Sequence, residues 1–412
     1  MARSILLIGA TLLDGTGAPP VEDSAVLVEG GRILRAGRTG EVSPPAGAEE
    51  IDATGLFLLP GFVDAHVHLL LTGMRLRDLV ATPFSLPFFQ AARHLHETLL
   101  AGVTTARDAG GADLGVKRAV EDRLVYGPRL AIAITALTRT GGYAEGWMPS
   151  GRRLPTYLPH PGRPSGTCDG PDGVRRKVRE VLRAGADVVK LCATGGPRLG
   201  GEDSRTEFTP AELAAAVEEA KRAGVPVMAH ANGAEGAALA ASAGAASVEH
   251  GVRLDDAACD AMARRGAFLV PTLLASAAAA EAGPDAGAAS LMVAERAKRI
   301  LDEHLASVTR AVKAGVKIAM GSDAGVAPHG ENLRELVWLG RAGLSPMQAL
   351  VAGTRTGAEL LGMDKDAGTV QAGKRADLVA VRRNPLQDLE TLTRREDLVL
   401  VMKDGEIVHR AL

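Results

Sequence analysis

Two histidines separated by one residue, His66 and His68, stand at the end of an apolar stretch, LFLLPGFVDAHVH, that covers residues 56–68. Alternate side chains of a β-strand point to the same face, so these two imidazoles would project side by side. Two imidazoles held in this way can bind one metal ion, but the same pattern also occurs as a plain polar strand end. The pair therefore needs support from the rest of the chain.

Short apolar runs alternate with helical stretches rich in Ala, Leu, Glu and Arg between residues 58 and 358. Three of the helical stretches end in Ala-Gly or Arg-Gly, the expected glycine stop before the next strand. Eight β-α repeats of this kind predict an α/β protein built on a (β/α)8 TIM barrel.

Residues 1–57 and 359–412 consist of short apolar strands separated by turn signals such as Asp14-Gly15 and Asp404-Gly405. Both ends of the chain are therefore rich in β-structure, whereas the middle is not. We predict that the two ends pair into one small β-sandwich domain beside a barrel of residues 58–358.

Metal-ligating residue types recur at the ends of the predicted barrel strands, where such barrels carry their active sites. These residues are His66 and His68 on strand 1, Lys190 on strand 4, His230 on strand 5, His250 on strand 6 and Asp323 on strand 8. The other histidines fall elsewhere, and His304 is predicted to lie away from the barrel face. Four histidines and a carboxylate predict a mixed nitrogen and oxygen site suited to zinc or a similar divalent ion.

Such a site suits hydrolysis. A bound metal lowers the pKa of water towards about 7 and polarises a carbonyl, and a nearby carboxylate carries the water's proton to the leaving group. Asp323 fits the role of that carboxylate. Lys190 does not fit this chemistry, because a dication repels an ammonium, and a lysine that extends from a strand end towards solvent is the simpler interpretation.

Several segments resemble the amidohydrolase superfamily. They are HVH after PGFVD, VVKLCATGG, AHANG, VEHG and GSDAG, with LLDGTG near the start and GTVQAGKRADLVAV near the end. Within the superfamily, CDGPDGVRRKVREVLRAGADVVKLCATGG is similar to Xaa-Pro dipeptidases, arginine or lysine carboxypeptidases and imidazolonepropionase-related enzymes. The resemblance implies hydrolysis of a C–N bond, such as an amide or peptide bond, in a small molecule.

The resemblance also implies a role for the lysine. In binuclear members a strand-4 lysine is carboxylated by carbon dioxide and bridges two divalent metal ions, and Lys190 would be that residue. His66, His68 and Asp323 would bind the more buried ion, and His230 and His250 the more exposed one. A hydroxide would bridge both ions, for which zinc is the first choice. Relatives are often homo-oligomers, which leaves a homo-oligomer open for this chain.

Two positions depart from the peptidase-like relatives. Tyr143 stands where they often carry a histidine, and Asn232 where they often carry a tyrosine or histidine. Either side chain can donate a hydrogen bond to an oxyanion, so both are predicted to contact substrate, with Tyr143 also a catalytic candidate. Neither provides a cation for a C-terminal carboxylate. Arg139 and Arg198 could provide one, or they could be solvated loop residues.

A long loop rich in glycine and proline covers residues 138–171 and contains both Tyr143 and Trp147. Because it follows a strand, it is expected to lie over the C-terminal face of the barrel as a lid, with Trp147 against the substrate. The alternative is a disordered insertion.

The resemblance implies an Xaa-Pro dipeptidase or carboxypeptidase-like enzyme first, and a hydrolase of a xenobiotic amide, carbamate or urea second. A non-catalytic binding protein on the same fold is the third hypothesis, and the six retained metal-site residues argue against it. A deaminase is disfavoured because AHANG lacks the glutamate that deaminases commonly carry near this histidine.

The composition argues against several other classes. Forty-seven Lys and Arg against 49 Asp and Glu give a formal charge of −2, which offers no attraction to nucleic acid or to an anionic membrane. No apolar segment approaches the ~20 residues that span a bilayer. Three scattered cysteines, Cys168, Cys192 and Cys259, form no disulfide framework and predict a cytoplasmic location.

Overall fold

Strands occur at both ends of the chain and at intervals through its middle. The computed structural model describes residues 4–73, 81–148, 150–196, 204–281 and 288–412. The strands in chain order are β1 Ser4–Leu12, β2 Val21–Glu29, β3 Arg32–Arg38, β4 Glu49–Asp52, β5 Phe57–Pro60, β6 Phe62–Val67, β7 Val103–Asp108, β8 Arg129–Ile132, β9 Ala136–Leu137, β10 Val189–Cys192, β11 Val227–Gly233, β12 Ser247–Arg253, β13 Phe268–Val270, β14 Leu378–Val381, β15 Leu398–Lys403 and β16 Glu406–Arg410.

The α-helices of the described chain all lie between residues 86 and 360, in the part that forms the barrel. They are α1 Leu86–Leu100, α2 Leu114–Glu121, α3 Gly170–Arg183, α4 Pro210–Arg222, α5 Ala234–Ala243, α6 Asp256–Arg265, α7 Leu273–Glu281, α8 Ala288–Lys313, α9 Arg334–Arg341, α10 Pro346–Ala352 and α11 Arg355–Leu360. None of the helices in the described part of the chain is long and apolar enough to cross a membrane.

The barrel is a closed ring of parallel segments. Strands β6, β7 and β8 form one run of the ring and β9 to β13 form the other, with β8 and β9 as consecutive parts of the third barrel strand. Residues 317–324 form the eighth segment, which bridges β13 at Leu269–Ile318 and β6 at Val67–Ala324. The predicted TIM barrel is confirmed.

The two ends of the chain form a separate sheet. Its strand order is β16-β15-β14-β5-β1-β2-β3, with β4 paired to β1. Apolar side chains from both halves of the sheet, including those of Ile5, Val28, Leu378 and Leu400, share one buried cluster, so the sheet curls around its own core. The predicted domain from both termini is confirmed as one eight-stranded sheet, while its division from the barrel at residues 57 and 358 stays a prediction.

Gly61 joins this sheet to the barrel. It is the one residue between β5 and β6, and its amide donates to the carbonyl oxygen of Asp377 at 2.8 Å. A Cβ atom at this position would lie 2.3 Å from Oγ1 of Thr104, so only glycine fits. The first barrel strand therefore begins directly at the sheet, which holds β6 and its histidines in place.

Candidate metal centre

Three side chains at the C-terminal ends of the first and eighth barrel segments converge on one point. Nε2 of His66 lies 3.7 Å from Oδ1 of Asp323, and Nε2 of His68 lies 3.4 Å from the same oxygen. One nitrogen or oxygen atom from each residue lies within 4.8 Å of the others, which is the spacing of ligands around a single ion. The three residues thus form a candidate metal site.

Two atoms of this site lack a partner within the described chain. Nε2 of His66 and Oδ1 of Asp323 are buried and make no hydrogen bond there. A buried polar atom without a partner costs about 1–3 kcal/mol, and a positive ion between the two would satisfy both. The donor set of two imidazoles and one carboxylate also suits a divalent ion such as zinc, so the residues fit a metal.

The backbone at the strand ends is held in an uncommon conformation. Asp323, His250 and Thr272 have φ angles of +53°, +70° and +57° respectively. Non-glycine residues rarely adopt such angles, each of which costs about 1–3 kcal/mol and is typical of functional sites. The amide of Asp323 donates to the carbonyl oxygen of His66 at 2.8 Å, which holds the eighth segment against the first.

The remaining predicted ligands lie beside this trio. Lys190 is 4% exposed and His230 is 6% exposed. The ring centroid of His250 lies 4.9 Å from that of His66 and 4.6 Å from that of His230. Within the described residues, the group whose ligand atoms converge contains His66, His68 and Asp323 alone.

His230 and the two predicted substrate contacts form one wall of the site. Nε2 of His230 lies 3.2 Å from the carbonyl oxygen of Gly195, and Nδ2 of Asn232 donates to the same oxygen at 3.3 Å. The ring of Tyr143 stacks on the ring of His230, with centroids 4.7 Å apart and an angle of 16° between the planes. Tyr143 and Asn232 are therefore brought next to a predicted ligand.

A cavity of about 790 Å³ lies over these residues. Its lining includes Lys190, His230, His250, Asp323, Tyr143 and Asn232. His304 also lines it, although the sequence suggested a place away from the barrel face. The difference arises because α8 passes close to β12, so that Nε2 of His304 donates to the carbonyl oxygen of His250 at 2.9 Å.

Trp147 does not reach the described lining of the cavity. Its side chain is 56% exposed, and its backbone pairs with Arg153 inside the loop. Tyr157 and Leu158, from the same loop, line the cavity instead. The loop of residues 138–171 thus contributes to the cavity, although through different residues from the one expected. Arg139 donates to the carbonyl oxygen of Thr140, and Arg198 lies outside the described residues.

Three partners of the histidines were not identified from the sequence. Glu249 lies 2.6 Å from Nδ1 of His66, the hydroxyl of Tyr157 lies 2.9 Å from Nδ1 of His68, and Oγ1 of Thr272 lies 2.7 Å from Nδ1 of His250. Such partners orient a metal-ligating histidine through its second nitrogen. Glu249 had a signal in the sequence, because it directly precedes His250 in VEHG, whereas Tyr157 had none beyond its place in the long loop.

Asp64, two residues before His66, braces the same strand ends. Its carboxylate is fully buried and accepts from Oγ of Ser322 at 2.5 Å and from Nδ2 of Asn332 at 2.8 Å. Burial raises the pKa of Asp64 and these hydrogen bonds lower it; because burial has the larger effect, the resulting pKa is about 6. The network links the first barrel strand to the segment that carries Asp323 and so helps to place that ligand.

A (β/α)8 barrel with a candidate metal site at the C-terminal ends of its first and eighth strands defines a class of barrel hydrolases. Residues 57–408 match the Amidohydrolase family, and the chain belongs to that family. It is therefore a hydrolase that acts on C–N bonds.

Three relatives illustrate the similarity. The chain is 30% identical to ochratoxinase from Aspergillus niger over 424 residues, which cover 98% of this chain and 87% of the relative. The structure of an Xaa-Pro dipeptidase with methionine in its active site is 30% identical, with a TM-score of 0.87 over 99% of this chain and 100% of that chain. A prolidase complexed with N-methylphosphonate-L-proline is 31% identical, with a TM-score of 0.88 over 99% and 100%.

His304 gives a prediction for the pH dependence of stability. Burial lowers the pKa of His304 from 6.5 to about 4, so the unfolded chain binds a proton that the folded chain does not. The contribution of the neutral, buried His304 to the free energy of unfolding is fully present above pH 6.5, and it is lost as the pH falls from 6.5 towards 4. Between pH 7.5 and 5.5 the loss is about 1.3 kcal/mol. His304→Gln removes this titration, so the difference in unfolding free energy between wild type and variant should shrink by that amount.

Urea unfolding at the two pH values measures this difference. The absolute stability of the His304→Gln variant is not compared with that of wild type, because the substitution also changes packing; only the change with pH is compared. A difference that stays constant between pH 7.5 and 5.5 would show that His304 titrates normally in the folded protein.

Proposed function

We propose that the protein is a binuclear metal-dependent amidohydrolase that cleaves the amide bond of a dipeptide or N-acyl amino acid. The pair of buried, unpartnered atoms on His66 and Asp323 carries the metal-dependent part of this proposal. The relatives support the substrate class, because an Xaa-Pro dipeptidase binds methionine in its active site and a prolidase binds a phosphonate derivative of proline.

In this proposal the ligands divide between two ions. His66, His68 and Asp323 would hold the first, His230 and His250 would hold the second, and a carboxylated Lys190 would be a ligand to both. Zinc is the proposed metal, since imidazole and carboxylate ligands suit it. When bound, the ions supply an activated water at neutral pH and polarise the scissile carbonyl.

The surroundings of Lys190 support its carboxylation. Its side chain is buried and, within the described chain, no hydrogen bond or carboxylate within 4.0 Å holds its Nζ. Burial lowers the pKa of Lys190, which favours the neutral amine. A neutral amine attacks the carbon of carbon dioxide and loses a proton to give a carbamate anion. That anion removes the conflict between a lysine ammonium and two cations.

Asp323 and Tyr143 have separate roles in the proposed reaction. The carboxylate of Asp323 is buried between His66 and His68 at the floor of the cavity, and its Oδ1 makes no hydrogen bond within the described chain, so it would take a proton from water and return it to the leaving amine. Tyr143 stands on the cavity wall against His230, where its phenol can donate a hydrogen bond to the oxygen of the tetrahedral intermediate.

A xenobiotic amide, carbamate or urea is the second candidate substrate. The cavity of about 790 Å³ lies in the upper part of the range for small-molecule sites, ~300–1,000 Å³, so it accommodates a bulky group. Tyr143 and Asn232 are neutral, and the cavity-lining Arg153 and Arg253 are already paired with Glu145 at 3.5 Å and Glu303 at 2.7 Å. A substrate without a carboxylate therefore remains compatible with this cavity.

A substrate panel with metal analysis tests the proposal. The purified protein should carry close to two zinc ions per chain, and it should hydrolyse dipeptides or N-acyl amino acids at least tenfold faster than carbamates and ureas. Faster turnover of the carbamates or ureas would select the second candidate. Well under one transition metal per chain, together with no turnover of any substrate after loading with zinc, would contradict both.

A further inference from the structure

A series of buried, hydrogen-bonded side chains contacts His66, the first of the predicted metal ligands. One oxygen of Glu249, Oε2, lies 2.6 Å from Nδ1 of His66, and the other, Oε1, accepts from the guanidinium of Arg107 at 3.0 Å. Oε1 also accepts from the hydroxyl of Ser247. The side chains of His66 and Glu249 are fully buried and that of Arg107 is 3% exposed. Three donors therefore converge on one carboxylate in the interior of the barrel.

The strand that carries Glu249 is bent so that two consecutive residues reach His66. Neighbouring side chains of a regular strand point to opposite faces. At His250, however, φ is +70°, and the ring of His250 lies 4.9 Å from that of His66 while Glu249 contacts Nδ1 of the same ring. The backbone strain is thus used to surround His66.

Arg107 holds the carboxylate of Glu249 in place. Its Nε donates to the carbonyl oxygen of Ala65 at 2.6 Å, directly before His66, while its Nη2 binds Glu249. A buried carboxylate without such a counter-ion would be strongly disfavoured. The pair therefore ties β7 and β12 to the backbone of β6 at the residue that precedes the ligand.

The carboxylate acceptor at Nδ1 determines which nitrogen of His66 can bind a metal, because Oε1 of Glu249 already accepts from Arg107 and Ser247 and Oε2 faces Nδ1. A neutral imidazole carries one ring proton, and a carboxylate only accepts, so the proton lies on Nδ1 and the lone pair on Nε2. Nε2 is the atom that faces Asp323 without a partner. His68 and His250 have no carboxylate at Nδ1: Nδ1 of His68 lies 3.0 Å from the carbonyl oxygen of Gly110 and 2.9 Å from the hydroxyl of Tyr157, and Nδ1 of His250 lies 2.7 Å from the hydroxyl of Thr272. A carboxylate acceptor also makes a histidine a more basic ligand.

We propose that Glu249, held by Arg107, is a positioning residue that fixes His66 as an Nε2 ligand and thereby sets the affinity of the metal site. This inference rests on the proposed metal-dependent function. It assigns to Glu249 no contact with substrate and no part in proton transfer.

Glu249→Gln tests the proposal with almost no change in shape. Two donors, from Arg107 and Ser247, meet at Oε1, so the amide oxygen of Gln would take that place and its NH2 group would face His66. An NH2 group donates, which moves the ring proton of His66 to Nε2 and blocks the metal-facing atom. We expect the dissociation constant for Zn²⁺, measured on metal-stripped protein by competition with a chromophoric chelator, to rise about 10–100-fold.

Two control variants separate this effect from a general loss of structure. Glu219→Gln weakens another arginine–glutamate pair, since Glu219 binds Arg179 at 2.6 Å between α3 and α4, outside the cavity lining. Ser247→Ala removes a donor to Glu249 and leaves the acceptor for His66 intact. Both should bind Zn²⁺ within about threefold of wild type. Equal affinities for wild type, Glu249→Gln and Glu219→Gln would overturn the inference.

A second measurement observes the ring of His66 in the wild-type protein itself. In ¹⁵N-histidine NMR spectra of the metal-stripped wild-type protein, His66 should show a protonated Nδ1 and an unprotonated Nε2, and the signal is assigned by its absence in His66→Gln. The opposite tautomer would overturn the inference. A wild-type protein that binds no Zn²⁺ in the chelator competition would instead contradict the proposed function, so the two failures are distinguishable.

Discussion

Replacing Asp323 by Asn should lower kcat by at least about 1,000-fold while the protein remains folded. The amide keeps the shape of the carboxylate but cannot accept a proton at neutral pH, and it is a weaker ligand for a divalent ion. Both proposed roles of Asp323 are lost together, so the expected effect is larger than that of changing Tyr143 or Asn232. Steady-state kinetics with the best substrate of the panel, together with circular dichroism, measure the effect.

Asp397→Asn is the matched control for this variant. Asp397 is also a buried aspartate, but it lies beside the terminal sheet, where Arg383 contacts it at 3.3 Å. Its substitution should leave kcat within about twofold of wild type while lowering stability. Retention of more than about a tenth of wild-type activity by Asp323→Asn would eliminate Asp323 as the proton-transferring group.

Replacing Lys190 by Met should abolish turnover and reduce the metal content from two ions per chain to one or fewer. Met preserves the length and apolar stem of the side chain but cannot form a carbamate, so the proposed bridge between the two ions is lost. Metal analysis after gel filtration measures the stoichiometry. In the wild-type protein, ¹³C-labelled bicarbonate should add one carbamate resonance, and this resonance should be missing from Lys190→Met.

Lys313→Met provides the comparison, because Lys313 is an exposed lysine at the end of α8. It should retain two ions, full turnover and the carbamate resonance. Two ions bound to Lys190→Met with normal turnover would show that the lysine is not a bridging ligand, and the site would then be explained without carboxylation.

The positions of the barrel strands could be predicted because each is a short apolar run that ends at polar residues. His66, His68, Lys190 and Asp323 stand at such ends, and the barrel brings them to one face however distant they are in sequence. The eighth segment fits this pattern, although it pairs with its neighbours only through isolated bridges. The apolar pattern indicated which segments form the barrel strands. Closure of the barrel then brings the residues at the strand ends together.

The partners of the ligands could not be predicted in the same way. The contact between Tyr157 and His68 spans 89 residues, and that between Glu249 and His66 spans 183. Nothing in a local pattern specifies such a pair, because it depends on how far each loop and strand is displaced in the folded barrel. The exposure of Trp147 has the same origin, since the loop turns this residue outwards and Tyr157 inwards. The cytoplasmic location and the oligomeric state stay predictions.

The strand β5 places both ends of the chain in one hydrogen-bonded sheet, with β1 on one side and β14 on the other. During synthesis, β5 therefore lacks its second neighbour until more than three hundred further residues have left the ribosome. Contacts of such sequence separation form slowly, and an unpaired strand edge is prone to aggregation in the meantime. The terminal sheet is therefore expected to be completed late in folding, and a chaperone that shields the edge of β5 would act before that event.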